Sequence, residues 1–346
     1  MSVPVPPLVV RRVLRDPLWP VLLGALALLL GLLALPLLVL EPWRRRNRAL
    51  RLVRLAVAGI AADLGILLGC WWLWLRHPPW RRDPVAWREQ HTALLDRRLT
   101  TVLQVAERTV GLQLRTDIPP VVARTPHPLL VLSRHIGSGD SLLVAYLVAH
   151  TFGRTPRVML KRFLLWDAAA DLLLNRLGSY FLPPRRVNVA ERDRRLEAFA
   201  RSLDAHDALI LFPEGGNWSP RRHAASIEWA EQNGNPALQE WIRDHPRVLV
   251  PRAKGTQQML EDSPDLVPVI IAHHGLDRTG SLGQIWRAVP LAHPVDVVVR
   301  VVDRPRSSDL EVVDLWLREH WSQIDRWAGE LAAAVGEQPP PPSRLD

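Results

Sequence analysis

Two short segments of this chain carry the residue types needed for acid–base chemistry beside a phosphate. The first reads Arg134-His135-Ile136-Gly137-Ser138-Gly139-Asp140 and follows an apolar run. A histidine and an aspartate with four residues between them, placed where a strand turns into a helix, can fold back so that carboxylate meets imidazole and orients it as a general base. Gly137 and Gly139 permit the tight turn this requires. The second segment, Phe212-Pro213-Glu214-Gly215-Gly216, ends another apolar run, Leu209-Ile210-Leu211. A Glu-Gly-Gly turn at a strand end offers backbone N–H groups to a phosphate, and Ser219, Arg221 and Arg222 follow closely. Together the segments predict proton abstraction from a hydroxyl that neighbours a phosphate.

The elements that would position these residues form a mixed α/β series. Strands are expected at Leu129–Ser133, Arg157–Leu160, Ala208–Phe212, Val248–Pro251, Leu266–Ala272 and Val295–Val302. Helices are expected from Asp140, over Asp167–Arg176, Glu191–His206 and Ile227–Trp241, and from Ser308 to about Val335. The alternation predicts one mixed sheet covered by helices, a single α/β domain over 119–336. An amphipathic bridging helix precedes it within 81–118, through Leu94, Leu95, Leu99, Leu103 and Val105, and a Pro-rich tail over 337–346 is expected to be disordered.

Residues 1–80 read as a membrane anchor. Val21 to Leu40 is unbroken apolar, Gly and Pro sequence, enough at about 1.5 Å per residue to cross ~30 Å of hydrocarbon. A signal peptide is the competing reading, but Glu41-Pro42-Trp43 is no small-residue cleavage site. A second apolar segment, Leu55 to Leu75, ends in Trp71, Trp72 and Trp74 and carries Asp63 at mid-length, a carboxylate that would cost about 3 kcal/mol in a bilayer. The linker between them holds Arg44, Arg45, Arg46, Arg48, Arg51 and Arg54, which places it on the cytoplasmic side. Two full spans would then separate the linker from the α/β domain. The second segment is therefore expected either to span or to lie shallow and return, forming a hairpin that keeps both on one face.

The net charge is +9, and only Lys161 and Lys254 among the 44 basic residues are lysine. Because the densest arginine cluster flanks the apolar segments, anionic lipid is a nearer partner than nucleic acid, which is not expected to bind. The one cysteine, Cys70, excludes an internal disulfide framework. His273-His274 does not read as a metal site, since adjacent strand residues face opposite ways. No metal and no cofactor are expected.

At this point the chain resembles the glycerolipid acyltransferases that acylate lysophosphatidic acid and related lysophospholipids, nearest in flavour to the lysocardiolipin acyltransferase branch. His135 and Asp140 match the family's His-x-x-x-x-Asp motif, and Phe212-Pro213-Glu214-Gly215 its Phe-Pro-Glu-Gly motif. Lys161 to Gly178 with Tyr180-Phe181 is similar to a second block whose basic residues contact the acceptor phosphate, with Arg185 and Arg186 as candidates. Val248-Leu249-Val250-Pro251-Arg252 with Gly255 is similar to a fourth block that shapes the pocket.

The resemblance implies a membrane-bound O-acyltransferase on the cytoplasmic face. His135 would act as base, held by Asp140, upon a lysophospholipid hydroxyl, most simply 1-acylglycerol-3-phosphate. The acyl donor would be acyl-CoA or acyl carrier protein. Glu214 would fix the turn and orient the acceptor, while Gly215, Gly216, Lys161, Arg185, Arg186 and Arg252 would contact acceptor or phosphate. Where the family usually continues Glu-Gly with Thr-Arg-Ser, this chain has Gly216-Asn217-Trp218-Ser219, so Arg221 or Arg222 is expected to supply the missing cation.

Two rival readings stay open. Gly139-Asp140-Ser141-Leu142 spells the signature of the GDSL esterases, with Ser141 as nucleophile, although no Asp-x-x-His element supplies its base. A membrane-tethered lipid-binding protein without catalysis is the other.

Overall fold

The computed structural model describes residues 5–40, 47–137, 139–184 and 187–336. The proposed contacts of Arg185 and Arg186 and the tail expected to be disordered lie outside them. After a π-helical turn at Arg11–Arg15 come helices α1 (Asp16–Leu40), α2 (Arg48–Arg76) and α3 (Pro84–Val110). The remainder alternates: β1 (Leu114–Asp117), β2 (Leu129–Ser133), α4 (Asp140–Tyr146), β3 (Thr155–Leu160), α5 (Ala168–Arg176), β4 (Tyr180–Phe181), α6 (Val189–Arg201) and β5 (Asp207–Leu211). It continues through α7 (Pro220–Gln232), α8 (Pro236–Asp244), α9 (Ala253–Asp262), β6 (Val267–His274), α10 (Leu282–Ala288), β7 (Val295–Val301) and α11 (Leu310–Ala334).

The strands form one sheet in the order β1-β7-β6-β2-β5-β3-β4. Every pairing is parallel except β6 with β7. In the central strands both faces are buried, so β2 (LLVLS) and β5 (DALIL) read as continuous runs rather than alternating ones. Successive side chains still divide between faces. Leu129, Val131, Ala208 and Ile210 pack with Ala106 and Val110 of α3 and Leu143 and Val144 of α4. Leu130, Leu132, Leu209 and Leu211 pack with Phe199 of α6, Met259 of α9 and Leu317 and Trp321 of α11. Each fully buried aliphatic side chain contributes roughly 1.5–3 kcal/mol relative to exposure.

Two expectations are corrected. Val248–Pro251 is no strand: it runs as irregular chain beside the 213–215 turn, donating from the Leu249 N–H to Glu214 Oε1 (3.4 Å) and from the Arg252 N–H to the Pro213 carbonyl (2.9 Å). The helix expected over 227–241 is two, because Asn233-Gly234-Asn235-Pro236 breaks it. Gly234 sits at φ +62, Asn235 caps α8 and Pro236 occupies its first turn. β1 and β4, too short to carry a period, have no counterpart among the expected strands, nor do α9 and α10 among the expected helices.

The apolar helices are not equivalent. α1 leaves Val21, Leu22, Leu26, Leu28, Leu29 and Leu32 exposed. α2 lies along the α/β domain and touches it at both ends. Near its start, Arg48 Nε donates to the Val289 carbonyl (2.9 Å) and Arg51 to that of Thr109 (2.6 Å). Near its end, the Cys70 carbonyl accepts from Arg176 (2.5 Å), and Leu67 and Cys70 are buried among Leu94, Leu95, Leu99 and Leu173. Close approach rests on Gly69, where a Cβ would stand 2.6 Å from Leu94 Cδ1; at Gly65 it would meet only the movable Arg98 guanidinium. Both helices are long and apolar enough to cross a bilayer by length and composition.

Gly69→Val is expected to overpack the α2–α3 contact and destabilise the protein by about 1–3 kcal/mol in denaturant titrations in detergent, whereas Gly65→Ala stays near wild type.

Candidate active site

Parallel pairing in register, Leu132 with Leu211, carries β2 and β5 out of the same edge of the sheet side by side. Their exit loops are the two segments singled out from sequence. Open parallel sheets hold ligands at the carboxyl ends of their strands, where loops diverge.

In the first loop, His135 Nδ1 lies 2.9 Å from each oxygen of the Asp140 carboxylate. Asp140 is 1% exposed, and its two oxygens also accept the backbone N–H groups of Ile136 (2.7 Å), Gly137 (3.1 Å) and Ser141 (2.6 Å). Burial disfavours the charged carboxylate, but the hydrogen bond and charge of His135 and the Gly137 N–H outweigh it, and the pKa falls below the usual aspartate value. An ionised Asp140 accepts the Nδ1–H and leaves Nε2 as the free, basic nitrogen. Two glycines make the turn possible. Gly139 sits at φ +96, and any side chain at Gly137 would collide with the Leu276 carbonyl. The imidazole packs on Phe212, ring centroids 4.7 Å apart.

In the second loop, Glu214 is corrected as an acceptor-orienting group. The turn closed by the Gly215 N–H on the Phe212 carbonyl (3.0 Å) sends its carboxylate behind the loop, where it is 4% exposed. One oxygen accepts the His135 backbone N–H (3.2 Å); the other accepts Trp321 Nε1 of α11 (2.9 Å) and the Leu249 N–H. The Trp218 N–H, in turn, donates to the His135 carbonyl (2.6 Å). Glu214 thus joins four segments and touches no open space. Burial is the main cause that pushes its pKa up to about 7, against the opposing pull of Trp321 and the buried Arg134.

What faces open space is cationic. Lys161 Nζ donates to the Gly215 carbonyl (3.1 Å), Arg222 donates to that of Asn217 (3.1 Å) and lies against Gly216, and the Arg252 guanidinium lies against Gly215. Lys161, Arg222, Gly215, Gly216 and His135 line a cavity of about 720 Å³ whose apolar walls include Leu142, Leu173, Leu99 and Ile66. Arg252 flanks the loop from outside this cavity. Arg221 is exposed and lines none of it. Ser141 lines it too, but its hydroxyl donates to Asp140 (3.2 Å), the carboxylate that holds the histidine. Among the described residues no serine hydroxyl is hydrogen-bonded to the His135 ring.

Sequence reading missed three participants. Trp321 was visible only as one of several tryptophans in the last helix. Arg134, 1% exposed and ion-paired with Asp277, sits directly before the histidine, and an arginine at a buried strand end was its available signal. Asp63 lines the cavity wall and accepts from Trp19 Nε1 (2.9 Å), a role its mid-helix position alone did not reveal. His273 and His274 are both buried, His273 against the Arg134 carbonyl (3.3 Å) and His274 against Asp277 (3.3 Å). Among the described residues no cluster of three metal-ligating side chains exists.

Residues 116–272 match the family model described as Acyltransferase. No curated protein shows a significant match. Among solved structures, the chain is similar to the crystal structure of the 1-acyl-sn-glycerophosphate (LPA) acyltransferase PlsC from Thermotoga maritima, with a TM-score of 0.54 and 15% identity over 82% of this chain and 96% of that one. At that identity the likeness is one of fold.

The Glu214 carboxyl yields a pH signature. Its folded-state pKa, about 7, lies above the ordinary 4.5, so between these values the folded protein binds more protons than the unfolded chain. Stability from this group is therefore full at low pH and is lost as pH rises through 7. Urea unfolding at intervals from pH 5 to 8 should show that slope flatten in Glu214→Gln, superimposed on a uniform loss of about 1–3 kcal/mol from the disturbed hydrogen bonds.

Proposed function

We propose, from the match of residues 116–272 to the Acyltransferase family model, that this protein transfers a fatty acyl group from a thioester donor to the free hydroxyl of a lysophospholipid, 1-acylglycerol-3-phosphate being the simplest acceptor. The observation that carries the reading is the arrangement of one cavity. A carboxylate-held imidazole, a cationic glycine loop and a leucine-lined interior share it.

In this reading His135 Nε2 takes the proton of the acceptor hydroxyl as its oxygen attacks the thioester carbonyl. The new C–O bond forms, the C–S bond breaks, and the imidazolium returns its proton to the departing thiolate. Asp140 favours the imidazolium, and such acid–base assistance amounts to roughly 10²–10⁴ in rate. Lys161, Arg222 and the Gly216 N–H hold the acceptor phosphate, a task suited to charge-assisted hydrogen bonds, while the Gly215 N–H stays on the Phe212 carbonyl. Arg252 adds its charge from outside the cavity. The apolar walls take the hydrocarbon chain. The donor thiol is that of coenzyme A or of acyl carrier protein.

The same reading sets the membrane geometry. Arg11, Arg12 and Arg15, at the start of α1, close on Asp171 of the α/β domain (2.5, 3.0 and 2.8 Å), and α2 is bound to that domain at both ends. A helix whose two ends contact one water-exposed domain does not cross a bilayer. The hairpin therefore enters one leaflet, from the cytoplasmic side where the thioester donors are made, with the exposed leucines of α1 in the acyl layer.

In an assay with labelled donor and a panel of lysolipids, His135→Ala should lose at least 10²-fold in kcat and Ser141→Ala should retain activity; the reverse pattern would identify a serine esterase, and lysolipid binding with no transfer by wild type a silent binder. Lys161→Gln and Arg222→Gln should each raise KM for the phosphorylated acceptor about tenfold or more. In sealed vesicles, protease tags placed at residue 47 and at the C-terminus should be cut from the same side.

A further inference from the structure

A second cavity, of about 350 Å³, opens beyond the wall of the first and is lined by Arg11, Arg162, Arg195, Asn175, Tyr180 and Phe181, among others. The 3₁₀ turn Arg162–Trp166 separates the two: Phe163 and Leu164 face the catalytic cavity, whereas Arg162 and Leu165 face this one. The adjacent lysine, Lys161, is committed to Gly215 on the catalytic side.

The charge around this cavity does not balance. Three arginines, Arg11, Arg12 and Arg15, are paired with two carboxylates, Asp16 and Asp171, which leaves one positive charge over. Arg195 shares Glu191 with Arg194, a second surplus. Arg162, half-buried, forms no hydrogen bond or ion pair among the described residues, a third. A concave surface with surplus guanidinium charge and a phenol at its wall is built for an anion, and forked N–H donors match phosphate oxygens.

The rim points to the source of that anion. Val9 and Leu14, two residues before and three after Arg11, and Trp166, at the end of the 3₁₀ turn that begins with Arg162, are all exposed. Aromatic and aliphatic side chains around a basic cavity suit the headgroup level of a membrane, and α1, with its exposed leucines, starts from the same rim. A soluble polyanion would make no use of such a border.

We propose that Arg11, Arg162 and Arg195 form a headgroup site, distinct from the acceptor cavity, which takes the phosphate of an anionic phospholipid of the surrounding bilayer. Occupation ties together the start of α1, the 162–166 turn and α6, and so fixes the depth at which the catalytic cavity meets the lipid. The site takes part in no bond-making step and does not depend on which acceptor is acylated.

The test is flotation of the purified full-length protein with phosphatidylcholine vesicles, with and without phosphatidylglycerol. Arg11 is left intact because it also closes the Asp171 cluster. Arg162→Gln with Arg195→Gln should weaken binding to the phosphatidylglycerol vesicles by at least tenfold, at roughly fivefold per arginine, and leave binding to neutral vesicles unchanged. Arg192→Gln with Arg194→Gln removes the same charge from α6 outside the cavity and should cost less than threefold. Equal losses in the two pairs would mean diffuse surface attraction and would overturn the site, as would no loss in the first pair. Inorganic phosphate or coenzyme A, matched against chloride of equal ionic strength, should not displace the protein from vesicles; displacement by either assigns the anion to a soluble source. A raised acceptor KM for the first pair in detergent micelles would make this cavity part of the acceptor site and equally sink the proposal.

Discussion

The parallel pairing of β2 with β5 is the constraint on which everything else rests. These strands are separated by some seventy residues of sequence, yet the in-register ladder delivers their exit loops to one edge within hydrogen-bonding reach of each other. Pairing alone would leave two independent loops. The buried Glu214 converts them into one object, because its carboxylate accepts from the histidine's own backbone, from the 249 segment and from an indole on the last helix. A charge-bearing group buried without partners costs several kcal/mol, so each donor it recruits is held firmly. The rigidity of the imidazole therefore comes from both sides: Asp140 fixes the ring and Glu214 fixes the main chain beneath it.

How much of this was legible in the sequence depended on range. His135 with Asp140 is a local pair, and two glycines in the intervening turn announced it. β2 and β5 were legible because each is a short aliphatic run ending at a Gly- or Pro-bearing turn, too short for a core helix. Glu214 was singled out correctly as unusual in a turn but assigned to the wrong side of it, since the direction a side chain takes within the Pro213-Glu214-Gly215 turn depends on the turn's dihedrals and not on strand alternation. Val248–Pro251 has the composition of a strand yet finds no partner in the sheet, an instance of tertiary context overriding β-propensity.

Charge was the least legible property. An arginine-rich composition hides which guanidinium groups are structural and which are available. Arg134 is paired with Asp277, and Arg11 shares Asp171 with Arg12 and Arg15, while Arg222 reaches the loop at Gly216 and its neighbour Arg221 turns to solvent. One residue along a helix is a rotation of 100°, which is enough to separate a side chain laid against the glycine loop from a surface charge.

Asp63 and Ile66, both on α2, stand in the same cavity wall as His135. The second apolar helix is thus also part of the wall of that cavity. Trimming the chain to begin at α3 would expose the leucines of α3 and α5 that pack on α2 and open the cavity sideways, so that no single cut removes the apolar segments and keeps the cavity's shape.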